Sequence, residues 1–183
     1  MDQGLLPRRY AKALYKFAAE HGDQTVVYGL MQNVAAAFAN VPALLRTISN
    51  PYVAEPQKEK LLLEAAGSPA PDKGGDILSD FVRLLVKNHR IDLTRDIALA
   101  YQELYRAENN ICRVNVTSAT PLSDADRTRL EQLVTRRLDG AKAEMSFSVD
   151  PEIIGGFVVT VDNDRLDASV RNELSRLRRQ LFS

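Results

Sequence analysis

The feature that most constrains this chain is a change of hydrophobic period at Asn109-Asn110. Before it, apolar residues recur every three or four positions; after it, they recur every second position. The first spacing lays apolar side chains along one face of a helix, and the second lays them on one face of a strand. The pattern therefore predicts an α+β chain: an N-terminal six-helix bundle over residues 1–105, then a small α+β domain over 106–183. The boundary is expected near residues 106–111.

The helical half is punctuated by its breakers. Leu6, Tyr10, Ala13, Leu14 and Phe17 recur at helical spacing, Pro7 sits where a missing N–H costs nothing, and Gly22 is a natural stop. A second helix is expected from about Gln24 to Asn40, carrying Val27, Leu30, Met31, Val34 and Phe38. Pro42 opens a third through Leu44, Leu45 and Ile48. Glu55-Pro56 opens a fourth through Leu61, Leu62 and Ala65, closed by Gly67. Ser68 to Gly75 reads as a loop, rich in Pro and Gly, with Asp76 as cap of a fifth helix through Ile77, Leu78, Phe81, Leu84 and Leu85. After the Asn88-His89-Arg90 break, Leu93, Ile97, Ala100, Tyr101, Leu104 and Tyr105 mark a sixth.

In the second half, Cys112, Val114 and Val116 alternate with polar residues as a half-buried strand. Ser123 with Asp126 resembles a capping box ahead of a helix through Leu130, Leu133, Val134 and Leu138. Met145, Phe147 and Val149 alternate, as do Phe157, Val159 and Val161. Asp162-Asn163-Asp164 reads as a turn, followed by a last amphipathic helix bearing Val170, Leu174, Leu177 and Leu181. The expected order is strand, helix, strand, strand, helix.

Charge narrows the function. The 24 basic and 24 acidic residues cancel, with 12 of each before and after the end of Tyr105. Neither half is a basic body, which disfavours binding through phosphate neutralisation. No apolar run approaches the ~20 residues of a membrane-spanning helix. The N-terminal stretch has no signal-peptide core or transit composition. A single cysteine excludes an internal disulfide and a Cys-cluster metal site, and fits a reducing cytoplasm.

No chemical motif emerges. His21 and His89 lie beside helix-end signals, where the helix dipole favours them. They lack zinc-binding spacing. Cys112 reads as a buried, inert thiol. Gly155-Gly156 lacks the spacing of a dinucleotide or phosphate loop and reads as a backbone bend before Phe157. Asp162, Asp164 and Asp167 lack the register of a calcium loop. No catalytic, cofactor-binding or metal-binding residue is expected.

Two features have shape. From Ala168 onward, Arg171, Arg176, Arg178 and Arg179 face a single acid, Glu173. This is either a solvated face or a dock for an acidic partner helix or a phosphate-bearing ligand. The first helix is apolar on more than one stripe, because Ala11, Tyr15, Ala18 and Ala19 lie off the Tyr10/Leu14/Phe17 face. Such a helix is either central in its bundle or lines a groove for a partner's helix.

These residues carry a resemblance. Arg8-Arg9-Tyr10-Ala11-Lys12-Ala13-Leu14-Tyr15, the stretch from Asn50-Pro51, and Phe81-Val82-Arg83-Leu84-Leu85-Val86-Lys87-Asn88-His89-Arg90 resemble the delta-subunit family of the F-type ATP synthase. Its mitochondrial counterpart is the oligomycin-sensitivity-conferring protein. So do Asp150-Pro151-Glu152-Ile153-Ile154-Gly155-Gly156-Phe157-Val158-Val159 and Asp167-Ala168-Ser169-Val170-Arg171. Ala168 and Asn172 stand where the family usually has Gly.

The resemblance implies a non-catalytic stator subunit that joins the catalytic head to the peripheral stalk, so that rotation is coupled to ATP synthesis. Residues 1–105 would grip the N-terminal helix of an alpha subunit in a groove between the first and fifth helices. The groove candidates are Tyr10, Ala13, Leu14 and Phe17 with Phe81, Leu84 and Leu85. Residues 106–183 would bind the C-terminal end of the b-subunit stalk through Val170, Arg171, Leu174, Leu177, Arg178 and Leu181. No cofactor, nucleic acid or membrane insertion is implied. The expected location is peripheral, on the cytoplasmic side of a bacterial cell membrane. The competing reading is a nucleic-acid-binding adaptor using the Arg-rich last helix.

Overall fold

The structure is a computed structural model. It describes residues 4–67, 73–138, 140–151, 153, 155–162 and 164–169, with backbone alone for 73–76 and 164–169. The architecture is α+β, in two compact units, Met1–Tyr105 and Arg106–Ser183.

The described part of the first unit consists of α1 (Leu5–His21), α2 (Gln24–Asn40), α3 (Pro42–Ser49), α4 (Glu55–Ala66), α5 (Lys73–Lys87), a 3-10 turn (Ile91–Leu93) and α6 (Thr94–Glu108), whose last turn passes the unit boundary. Gly22 closes α1 in the left-handed region at φ 76°, where its N–H meets the carbonyls of Ala18 and Ala19. Glycine takes that conformation without the Cβ clash of other residues. The core is built from the apolar faces of these helices: Leu14, Val27, Met31, Val34, Leu62, Leu78, Leu85, Ile97 and Tyr101 are almost fully buried.

Polar groups lock the packing. Asn33 Nδ2 donates to the Ala66 carbonyl at 2.9 Å and occupies an acceptor that the end of α4 leaves unpaired. Gln102 Nε2 donates to the Met31 carbonyl at 3.1 Å. Tyr28 stacks on Tyr105 at 4.1 Å, and Tyr15 meets Tyr101 and Tyr105 at 6.0 and 6.4 Å. The Tyr101 hydroxyl donates to the Gln24 carbonyl at 3.3 Å. Burial pushes its pKa far up, and Tyr15 and Tyr105 add to the effect.

One boundary differs from expectation. α5 begins at Lys73, so Gly74-Gly75 are helical and Asp76 lies inside the helix instead of capping it. Two helical glycines cost about 1 kcal/mol each. The apolar face from Ile77 to Leu85 buries enough surface to carry them.

The second unit is a four-stranded sheet in the order β2-β1-β3-β4, from β1 (Ile111–Ser118), β2 (Lys142–Val149), β3 (Gly156–Val161) and β4 (Asp164–Ser169). β1 and β2 are parallel, joined by the crossover helix α7 (Asp124–Arg137); β3 is antiparallel to β1, and β4 to β3. Ser123 caps α7, its Oγ accepting from the Asp126 N–H at 3.2 Å and donating to the Asp126 carboxylate at 2.6 Å. Val114, Val116, Leu130 and Val159 form the core, flanked by Met145, Phe147 and Phe157. Gly155 and Gly156 take φ of 152° and 80°, the expected bend at the start of β3. Asp162 opens the β3–β4 turn at φ 47° and accepts from the Arg113 N–H at 3.0 Å through Oδ1.

β4 was not expected. Asp164 to Ser169 alternates only Leu166 and Ala168 with polar residues, too weak a signal to separate from the turn before it. Register across the hairpin, Val161 opposite Asp164 and Gly156 opposite Ser169, makes it a strand. Ala168 and Ser169 therefore belong to the sheet and do not begin a helix. The expected last helix, with Val170, Arg171, Leu174, Leu177, Arg178 and Leu181, lies outside the described residues.

Candidate partner-binding groove

The apolar residues of α1 divide into two neighbouring stripes. Pro7, Ala11, Leu14 and Ala18 point into the core. One residue back, Leu6, Tyr10, Ala13 and Phe17 repeat the same four-three-four spacing on a face that the chain leaves open. Leu6 is 37% exposed, Phe17 is 43% exposed, Ala13 is exposed and Tyr10 is half-buried. The face expected to hold Tyr10, Leu14 and Phe17 together is thus two faces, because 3.6 residues per turn rotates Leu14 away from Tyr10 and Phe17.

α5 supplies the second wall. Phe81 and Leu85, like Leu14, are buried in the core of their own unit, so of the groove candidates these three face the bundle in the free chain. Leu84 is 45% exposed. Its place follows from its helix neighbours. The Phe81 ring meets Tyr10 edge-on at 6.4 Å, and Asn88 Nδ2 donates to the Tyr10 hydroxyl at 3.4 Å. Leu84 lies three residues from the one and four from the other, on the same side of α5. Tyr10, Ala13, Phe17 and Leu84 are the predicted residues that this geometry leaves open along the α1–α5 seam.

Three contributors escaped the sequence reading. Leu6 extends the strip by one turn. It shares the helical spacing of Tyr10, Ala13 and Phe17, but was not among the groove candidates. Asn88, read only as a helix break, ties the two helices together through Tyr10. His21 closes the other end: its ring packs 4.5 Å from Phe17, and Nδ1 donates to the Phe17 carbonyl at 2.8 Å. One edge of the strip is charged, with Arg9, Lys12 and Lys16 exposed along α1.

Nothing in the groove is arranged for bond chemistry. Among the described residues, no group of three or more His, Cys, Asp or Glu is placed to hold a metal. His89 is exposed and lies 3.9 Å from Glu55. Cys112 is half-buried, not fully buried as expected, because it stands at the end of the β1 core face. Burial, then the adjacent Asp162, pushes its thiol pKa up. An open apolar strip with a basic edge instead suits recognition of an amphipathic helix.

A family model for "ATP synthase delta (OSCP) subunit" matches residues 6–181. This chain belongs to the ATP synthase delta (OSCP) subunit family. The ATP synthase subunit delta of Parabacteroides distasonis is 36% identical over 182 residues, covering 100% of this chain and 98% of that one. That of Burkholderia mallei is 36% identical over 176 residues, covering 96% of each. In solved structures, the fold is similar to a chain of the Toxoplasma gondii mitochondrial ATP synthase hexamer, with TM-score 0.71 at 21% identity, covering 97% of this chain and 98% of that one. Members of the delta (OSCP) family are non-catalytic stator components of the F-type ATP synthase. They belong to the peripheral F1 portion. Among the described residues no helix is long and apolar enough to cross a membrane.

Proposed function

We propose that this subunit joins the catalytic head of the synthase to its peripheral stalk. In this reading residues 1–105 act as a six-helix bundle whose α1–α5 groove receives the N-terminal helix of an alpha subunit. Residues 106–183 receive the C-terminal end of the b-subunit stalk. The joint stops the head from turning with the central shaft, so rotation is converted into ATP synthesis. Its place is peripheral, on the cytoplasmic side of a bacterial cell membrane.

The observation that carries the reading is the open strip of Leu6, Tyr10, Ala13 and Phe17 beside Leu84. A helix laid into it would place apolar side chains at three- and four-residue spacing against these walls. Ala13 matters by being small: between Tyr10 and Phe17 it lets a partner backbone approach. The basic edge of α1 favours a partner helix with an acidic flank.

The test is titration calorimetry of the full chain against a peptide of the alpha-subunit N-terminal helix, with Ala13→Asp as the variant. Ala13 is exposed in the free protein, so the fold should persist. Covering the new carboxylate with an apolar helix costs several kcal/mol, a loss of affinity of roughly a hundredfold or more. Unchanged affinity in a folded variant rejects the groove assignment.

A further inference from the structure

A second opening lies on the side of α5 away from the groove. Val86 stands two residues from Leu84, about 200° round the helix, so it faces the other way. There the ends of α3 and α5, the 3-10 turn and the first turn of α4 enclose a pocket of about 580 Å³. Small-molecule sites occupy about 300–1,000 Å³. The floor is Ile48, Ile91 and Lys58, which are 1%, 8% and 8% exposed. Glu55, His89 and Asp92, all exposed, stand at the rim.

Lys58 is the anomaly. An ammonium on a side chain this deeply covered costs free energy unless something pairs with it. Among the described residues Lys58 makes no hydrogen bond and no ion pair, and its nitrogen is not sealed in. Glu55, one turn back on the same side of α4, is its natural partner. The Glu55 carboxylate instead turns to His89, with Oε1 3.9 Å from Nδ1. The backbone holds His89 in that place. It takes φ 53° at a helix-ending position that glycine usually fills, its N–H donating to the Val86 carbonyl at 3.0 Å and the Arg90 N–H to that of Leu85 at 2.8 Å.

We propose that this pocket binds a small zwitterion with an aliphatic body, of the free α-amino acid class. The ligand carboxylate pairs with Lys58, its ammonium with Glu55 and Asp92, and its side chain packs on Ile48, Val86 and Ile91. The order of charge selects this class. A simple anion would satisfy Lys58 but meet two carboxylates at the mouth. A simple cation would satisfy the rim and leave Lys58 unpaired. A zwitterion pairs both and adds no net charge. The site is separate from the α1–α5 groove and does not depend on what the groove holds.

The test is amide NMR of the full chain titrated with leucine, isocaproate (which lacks the ammonium), isoamylamine (which lacks the carboxylate) and inorganic phosphate. Leucine should shift amides of residues 48–58 and 86–92 and saturate with a Kd on the order of 1 mM or tighter. The other three should bind at least about tenfold more weakly. Lys58→Met, which keeps the length of the side chain, should weaken leucine at least about tenfold with an unchanged circular dichroism spectrum. Glu55→Gln with Asp92→Asn changes only exposed rim groups, so it tests the site even if Lys58→Met does not fold. It should weaken leucine and tighten isocaproate. No saturable shift in these two segments, or equal leucine binding by a folded Lys58→Met, overturns the proposal. Isocaproate or phosphate binding as tightly as leucine also overturns it and makes the pocket a plain anion site.

Discussion

Shortening Phe17 to alanine removes the largest open apolar side chain of the α1 strip. The ring is 43% exposed, and a phenylalanine side chain carries about 200 Å² of surface, so roughly 85 Å² is open for a partner to cover. At about 25 cal/mol per Å², covering that surface is worth about 2 kcal/mol, a factor of about 30 in Kd. The remainder of the ring packs on its own unit and on His21, so the substitution also lowers stability, by about 1–2 kcal/mol. Binding must therefore be measured well below the melting transition, by calorimetry with the alpha-subunit helix peptide and circular dichroism on the same sample. Leu84→Ala, at 45% exposure, should lose a comparable amount for its smaller side chain, about 1–1.5 kcal/mol. If Phe17→Ala binds within about threefold of the parent while fully folded, no helix covers that ring and the groove argument fails.

Leu14→Ala should behave in the opposite way: with only 2% exposure it should cost about 2–5 kcal/mol in denaturant unfolding and leave peptide affinity intact where the protein is folded. Ser123→Ala removes the α7 cap and should cost about 1 kcal/mol, seen as a lower unfolding midpoint of the second unit. For Cys112, the folded thiol holds its proton to higher pH than the unfolded one, so folding stability should fall as pH rises above about 8.5. Melting temperatures from pH 7 to 10 should drop less for Cys112→Ser than for the parent. Asp162→Asn should speed alkylation of the thiol at pH 8, since the thiolate is the reactive form.

What was legible in the sequence follows from how local each signal is. Gly22, Pro42 and Gly67 fix helix ends through their own backbone preferences, and the observed ends fall there. Ser123 and Asp126 announce a cap because the bond they make spans three residues. Gly74-Gly75 misled because glycine reports a cost and not a state, and the buried face of α5 outweighs it. β4 was missed because its pairing with β3 resides in the register of the hairpin and not in its own six residues. The site shows the same divide. Periodicity found the apolar residues of α1 and α5 but could not separate Leu14 from Phe17, since two stripes 100° apart on a helix differ only in what covers them. The bond from Asn88 to Tyr10, 78 residues apart, has no sequence signature at all.

Tyr10 couples α1 to α5. Its ring rests edge-on against Phe81 and its hydroxyl is held by Asn88, so one side chain braces α1 against α5 at two points. In the proposed joint, a brace of this kind would set the slot's width before the partner helix enters it. There, a socket already at the right width would dissipate little of the twist passed through it, whereas one that had to spread open would act as a soft spring in series with the rotor.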